Sequence, residues 1–192
     1  FQGYILPQAG TTETEAERWF TIASAPTEGM IRISTRISNS IFKQALKALE
    51  PGETIQRHTI EGDFTWEEEP GKPVVLIAGG IGITPFRSIL LERYATGKKI
   101  NATLLYFNRT DEIPFLNEFE ELKAGHPEFN LVPIVGESIN AQNILSRAPN
   151  TGSQTYYLSG PELMVESIGI ELKKSVVSLK QDWFPGYDER NY

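Results

Sequence analysis

The stretch Val74–Tyr94, VVLIAGGIGITPFRSILLERY, constrains the fold more than any other part of the chain. Val74–Ala78 is a short, unbroken apolar run rich in β-branched residues, the composition of a strand buried on both faces. Three glycines follow within four positions: Gly79, Gly80 and Gly82. Thr84-Pro85 then has the form of a helix N-cap followed by proline at the first helical position. Phe86, Ile89, Leu90 and Arg93 continue at helical spacing. A strand, a glycine turn and a helix start are predicted in one line. The first N–H groups of a helix have no internal partner, and glycines let a phosphate approach them. The dinucleotide fingerprint G-x-G-x-x-G nevertheless fails here, because Pro85 stands where its third glycine belongs. On its own the stretch reads equally as a plain turn or as a phosphate seat.

The residues on either side differ in kind. Before about residue 66 the chain reads as strands, in FQGYILP, RWFTIASAP, MIRISTRIS and ETIQRHTIEGDFTW. One helix is predicted among them, Ile41 to Leu49, with Ser38-Asn39-Ser40 as caps. The acidic turn EEEPGKP, Glu67–Pro73, reads as a solvated linker. After it, apolar strands at Val74–Ala78, Ala102–Phe107, Phe129–Val135, Thr155–Leu158 and near Val177–Phe184 alternate with helical patterns. Those helices are expected at Pro85–Tyr94, Phe115–Lys123, Ala141–Ser146 and Glu162–Lys174. Such alternation predicts a parallel sheet covered by helices on both faces, with ligands at the carboxyl ends of its strands.

Composition removes several classes of function. The chain has 192 residues, 40% hydrophobic and 22% charged, as in a soluble globular protein. A net charge of −7 argues against a nucleic-acid partner bound through a basic face. With no cysteine, the chain holds no disulfide, zinc ribbon or cysteine-ligated iron–sulfur cluster. His58 and His126 lie far apart and read as ordinary surface residues, so no metal site is expected. Redox chemistry here requires an organic cofactor.

Four short motifs then occur in order. Arg18-Trp19-Phe20-Thr21 resembles the R-x-[Y/F]-[S/T] flavin signature of the ferredoxin–NADP reductase superfamily. Gly79 to Pro85 resembles that superfamily's G-G-x-G-x-T-P pyridine-nucleotide loop, which explains Pro85. Tyr106 to Thr110 resembles its Y-x-x-R strand end, Ser159-Gly160-Pro161 its C/S-G-P loop, and DWFPGY the terminal aromatic segment of bacterial members. The resemblance implies an α/β chain: a partial antiparallel β-barrel flavin domain, residues 1–69, then a parallel-sheet nucleotide-binding domain, residues 70–192. The family's barrel has six strands, and this chain resembles it from about the third onward. An upstream portion, membrane-embedded or not, or a partner chain would complete such a barrel.

The resemblance also distributes roles. Arg18 would hold flavin phosphate, with Arg36 assisting and Ser40 capping a helix aimed at the FAD pyrophosphate. Phe20 would pack on the flavin, or simply fill the core. Thr21 would hydrogen-bond near the reactive flavin nitrogen, and Trp183 and Phe184 would lie over the ring, or merely pack on the sheet. Gly79, Gly80 and Gly82 would line the NAD(P)H pyrophosphate, with Thr84 and Pro85 toward the nicotinamide. Arg109 would stand near the adenosine ribose, and Gly160 and Pro161 would frame Ser159 beside the hydride path. Thr21, Ser159 and Phe184 are thus the candidate catalytic residues. The implied activity is a cytoplasmic oxidoreductase passing hydride from NAD(P)H to FAD, with electrons leaving to a protein or small-molecule acceptor. A nucleotide-binding module without redox turnover is the alternative.

Overall fold

The computed structural model describes residues 2–6, 16–67, 69, 71–149 and 152–184. The first strands are β1 (Gln2–Ile5), β2 (Glu17–Phe20) and β3 (Gln56–Ile60), antiparallel in the order β2-β1-β3. Helix α1 (Ile41–Ala48) packs on them through Phe42, which is fully buried with Tyr4, Leu6 and Phe20 in a small core. Ser40 caps α1, its hydroxyl oxygen accepting the Lys43 N–H at 3.3 Å. All five residues of β3 are exposed.

One expected strand does not form. MIRISTRIS contributes a single bridge, Ile33 to Ile22, and the backbone on either side is irregular. The Arg32 N–H is taken by the Ser24 hydroxyl at 2.9 Å, while Arg32 O accepts from the Ala23 N–H at 2.8 Å. With its polar groups satisfied locally, the segment makes a tight loop rather than a ladder. The end of ETIQRHTIEGDFTW also leaves the sheet. Phe64 and Trp66 pack instead against the core of the second half, and the Glu67 N–H donates to the Tyr157 hydroxyl at 3.0 Å.

That second half is a parallel sheet of five strands: β4 (Val74–Gly79), β5 (Ala102–Asn108), β6 (Phe129–Val135), β7 (Thr155–Pro161) and β8 (Ser178–Phe184). Their order is β6-β5-β4-β7-β8. Alternate residues of the strands feed two cores. Leu76, Ala78, Leu104, Tyr106 and Leu131 face α2 (Ile83–Ala95) and α3 (Leu116–Gly125), whose Phe86, Leu90 and Phe119 are fully buried. Val75, Ile77, Leu105, Phe107 and Leu158 face α4 (Ala141–Leu145) and α5 (Glu162–Leu172), through Ile144, Val165 and Leu172. Each such side chain contributes roughly 1.5–3 kcal/mol by leaving water. Because β4 is central and covered on both sides, it has to be apolar at every position, as its sequence is. The chain leaves β4 toward β5 on one side and returns to β7 on the other, so the topological switch point lies at the carboxyl ends of β4 and β7.

Candidate functional site

At the switch point β4 runs straight into a 3-10 turn, Gly80–Gly82, and that turn into α2. Helix α2 therefore starts at Ile83 with Gly82 as its N-cap, not at Pro85 with Thr84 as its cap as the Thr-Pro pair predicts. Thr84 is buried inside the first turn, and its hydroxyl donates back to Ile81 O at 3.1 Å. Pro85 lies in the same turn, fully buried. A cleft of about 590 Å³ opens over the turn. Gly79, Gly80, Pro161 and Met164 form one wall, and Phe107 to Thr110 with Gly136 to Ile139, following β5 and β6, form the other. Arg36 reaches the cleft from the first half, its guanidinium 3.9 Å from where a side chain on Gly80 would begin. Gly80 has φ +54°, a conformation that glycine adopts without penalty, and this turns its peptide toward the cleft.

Two residues of the cleft carry no signal in a strand-and-motif reading. Asn108 is 4% exposed at the end of β5, and its side-chain oxygen is buried without a hydrogen-bond partner. Glu137 lines the far end and is held by Arg147 at 2.7 Å. Both follow from the rule that the carboxyl edge of such a sheet carries the ligand, rather than from any motif.

On the other side, the flavin-signature residues converge on α1. Arg18 lies over the Phe42 ring, 5.8 Å from its centroid, and donates to Glu17 O at 2.6 Å. Phe20 is 3% exposed, between Tyr4 and Phe42 at ring distances of 6.1 and 5.9 Å, the enclosed core position of its two readings. Thr21 carries a buried hydroxyl oxygen with no hydrogen-bond partner. A buried hydroxyl left unmatched costs free energy, so an acceptor or donor from a bound group is the natural complement. The cation packed on α1 through Phe42 and the orphaned hydroxyl three residues on fit an anionic, ring-bearing cofactor such as FAD.

The C/S-G-P loop proves to be strand. β7 continues through Ser159, Gly160 and Pro161, paired with β8 in the register Ser159↔Asp182, Gly160↔Trp183 and Pro161↔Phe184. This register discloses Asp182, which the motif reading passed over. It is 5% exposed, and the fully buried Ser159 donates its hydroxyl to Asp182 Oδ2 at 3.4 Å. Burial pushes the Asp182 carboxyl up to about 7, against the opposing effect of the Ser159 hydrogen bond, while Asp63 adds repulsion. A group that titrates near neutrality therefore stands one strand from the switch point. Trp183 is 41% exposed. The Phe184 backbone ends β8, whereas its side chain and the PGY that follows lie outside the described residues.

Among the described residues no cluster of histidine, aspartate or glutamate is arranged to hold a metal ion. No helix among them is long and apolar enough to cross a membrane.

A doubly wound nucleotide-type sheet following a small antiparallel sheet defines the class, and known proteins of that class resemble the chain. Residues 76–169 match the oxidoreductase NAD-binding domain family. The sequence is 29% identical over 197 residues to a flavohemoprotein of Candida albicans, covering 92% of this chain and 48% of that protein. It is 33% identical over 125 residues to ferredoxin–NADP reductase B of Sorangium cellulosum, covering 63% of this chain and 50% of that one. The fold matches the FAD/NAD-binding domain of nitric oxide dioxygenase from Vibrio cholerae with a TM-score of 0.74 at 20% identity, over 95% of this chain and 83% of that one. A cytochrome P450 reductase from Amycolatopsis gives a TM-score of 0.75 at 20% identity, over 95% and 60%. In sequence and in fold the chain is similar to members of the ferredoxin–NADP reductase superfamily. It spans about half the length of these two sequence relatives.

Proposed function

We propose that this chain is an FAD-dependent NAD(P)H oxidoreductase that accepts hydride from the nicotinamide and passes electrons to a separate acceptor. The observation that carries the reading is the glycine turn at the switch point, opening into a cleft of about 590 Å³ that Arg36, Arg109 and Pro161 also line. The names of several relatives support it, among them an electron transfer component of 2-halobenzoate 1,2-dioxygenase and a carnitine monooxygenase reductase subunit. A flavin, when bound, supplies the ring that stores the electrons; the chain's own work is binding, orientation and exclusion of water.

The roles divide along the sheet. Gly79, Gly80 and Gly82 present backbone to the nucleotide pyrophosphate, with Arg36 as a facing cation. Thr84, Pro85, Gly160 and Pro161 shape the nicotinamide end, and Ser159, bonded to Asp182, fixes the strand beside it. Arg109, Asn108 and Glu137 address the adenosine ribose, and the acceptor-rich pair Asn108 and Glu137 suits a free 2′-hydroxyl at least as well as a phosphate. Arg18 and Ser40 hold flavin phosphate, and Thr21 bonds the ring, with Phe20 backing it from the core. Phe184 covers the ring. The division falls at residues 69 and 70. With three strands in its sheet among the described residues and β3 exposed throughout, the flavin half is completed by strands of an upstream segment or a partner chain. Its location, on this reading, is the cytoplasm, free or as the cytoplasmic part of a membrane-associated assembly.

The test is a visible spectrum of the protein mixed with FAD, before and after NADH or NADPH under argon. Flavin bands that bleach on addition of either nucleotide are expected. Bound nucleotide with no bleaching would leave a binding module without turnover. Tight, stoichiometric flavin in the chain by itself would refute the need for added strands. Arg18→Ala is expected to lower flavin retention about tenfold or more, the loss of a charge-assisted phosphate contact, with an unchanged circular dichroism spectrum. Equal flavin content in the folded variant would remove Arg18 from the phosphate.

A further inference from the structure

The residues just beyond the two candidate ring-holding segments meet each other. Arg87, one turn into α2, is 2% exposed yet charged. Its Nη1 donates to Ala23 O at 2.7 Å and to Glu28 Oε2 at 2.8 Å. Its Nη2 donates to Glu28 Oε1 at 3.1 Å and to Glu118 Oε2, on α3, at 2.5 Å. The guanidinium thus grips the loop after β2 with a bidentate fork and a carbonyl bond, and α3 with a third contact. Arg32, from the same loop, lies 3.8 Å from Glu28 and 3.9 Å from Glu118 and offsets the second carboxylate. Along the same helix edge, the Ser88 hydroxyl donates to Ser24 O at 2.8 Å, and Thr27 donates through N–H and hydroxyl to Glu92 at 3.0 and 2.8 Å.

One strained residue serves the same contact. Phe115 is the only non-glycine residue with positive φ among the described residues, at 61°. A bulky side chain in that region is unfavourable and persists only where its surroundings require it. Here the ring lies 5.0 Å from the Arg87 guanidinium carbon and forms its lid.

We infer that Arg87 is a positioning residue: its clasp on Ala23 and Glu28 sets the spacing between the segment carrying Thr21 and the segment carrying the glycine turn. From Thr21 to Ala23 is two residues of extended chain, about 7 Å, and from Thr84 to Arg87 three residues of helix, about 4.5 Å. Two short, stiff arms therefore connect the clasp to the two places where rings are held. An ion pair this buried contributes little net stability, because desolvation offsets its attraction. What it supplies is geometry, and a planar fork fixes direction as an ammonium does not. The geometry stands independently of the proposed activity; its consequence for transfer rests on that reading.

The test compares the full chain loaded with FAD with its Arg87→Lys and Glu28→Gln variants. Arg87→Lys keeps the charge and loses the fork. Glu28→Gln alters only the loop side, at a carboxylate that is 24% exposed, and keeps the test open should the buried substitution fail to fold. Expected are unchanged NADH affinity and flavin content, faster amide exchange in residues 23–32, and single-turnover flavin reduction slowed about 10- to 100-fold. Faster exchange with reduction at the wild-type rate overturns the inference. So does unchanged exchange in both variants, or a rate loss matched by an equal loss of NADH affinity. Should the wild-type flavin not be reduced by either nucleotide, the proposed activity fails, and exchange in residues 23–32 alone decides the clasp.

Discussion

Gly82→Ala is expected to destabilise this protein more than any other single-methyl change in the glycine turn, by on the order of 3 kcal/mol or more. Gly82 has ordinary right-handed angles, φ −58° and ψ −3°, so its requirement is not conformational. A Cβ there would fall within the Ser159 carbonyl group and 2.7 Å from Gly160 Cα. Both obstacles are backbone of the neighbouring strand, and neither is able to rotate away. The turn would have to lift off β7, separating α2 from the strand it crosses and opening the switch point. The neighbouring glycines make the contrast. A Cβ on Gly79 meets the thioether of Met164, a flexible side chain. A Cβ on Gly80 meets only the Arg36 guanidinium at 3.9 Å, so Gly80→Val bears the cost of a left-handed backbone and projects into the cleft. Denaturant midpoints and nucleotide titrations of the variants should separate these cases. Gly82→Ala loses stability and nucleotide binding together, whereas Gly80→Val folds and loses mainly binding. A Gly82→Ala protein as stable as wild type would mean that the turn does not rest on β7.

The contrast also shows what the sequence discloses. The inner strands β4 and β5 are readable because each is apolar over a length that a doubly covered strand requires, and the glycine turn is readable because it ends the more central of them. At the edges β6 alternates buried and exposed positions, and β8, SLKQDWF, is mostly polar. The start of α2 is not readable. A Thr-Pro pair signals a helix start when the preceding chain is extended, but here a 3-10 turn leads directly into the helix, and Thr84 is already inside. MIRISTRIS has β-forming residues and no continuous neighbour, and local hydrogen bonds to Ser24 and Ala23 take its backbone instead. Arg87 sits in a helical stretch where an arginine normally points to solvent. Its burial depends on Glu28, 59 residues earlier, and Glu118, 31 residues later. Of the residues drawn from family motifs, Arg36, Gly79, Gly80, Arg109 and Pro161 line one cleft and Arg18 and Phe20 pack on Phe42 of α1. Asp182 and the clasp, by contrast, depend on long-range register that periodicity does not encode.

Asp182→Asn is expected to make the protein more stable at alkaline pH, by on the order of 3 kcal/mol, and to flatten its pH dependence. In the fold the carboxyl holds its proton up to about 7, chiefly because burial disfavours the charge. In the unfolded chain it loses that proton near its ordinary value of 3.8. Between those two values unfolding releases a proton, so the wild-type protein loses stability as pH rises from about 4 to about 7 and levels off above. Asparagine has nearly the same shape and does not titrate, so the variant lacks this decline. The difference is then largest at pH 8 and fades below pH 4. The same substitution bears on the chemistry, because Ser159 donates its hydroxyl to Asp182, and an amide at that position accepts the bond without taking on a charge. Ionisation of Asp182 sets a negative charge beside Ser159, so wild-type NADH oxidation should change slope near pH 7 and that of the Asn variant should not. Thermal unfolding from pH 4 to 9, run beside a pH profile of NADH oxidation, reads both effects. Parallel stability curves for the two proteins would show that the carboxyl is ionised throughout and that its burial is relieved by some group other than Ser159.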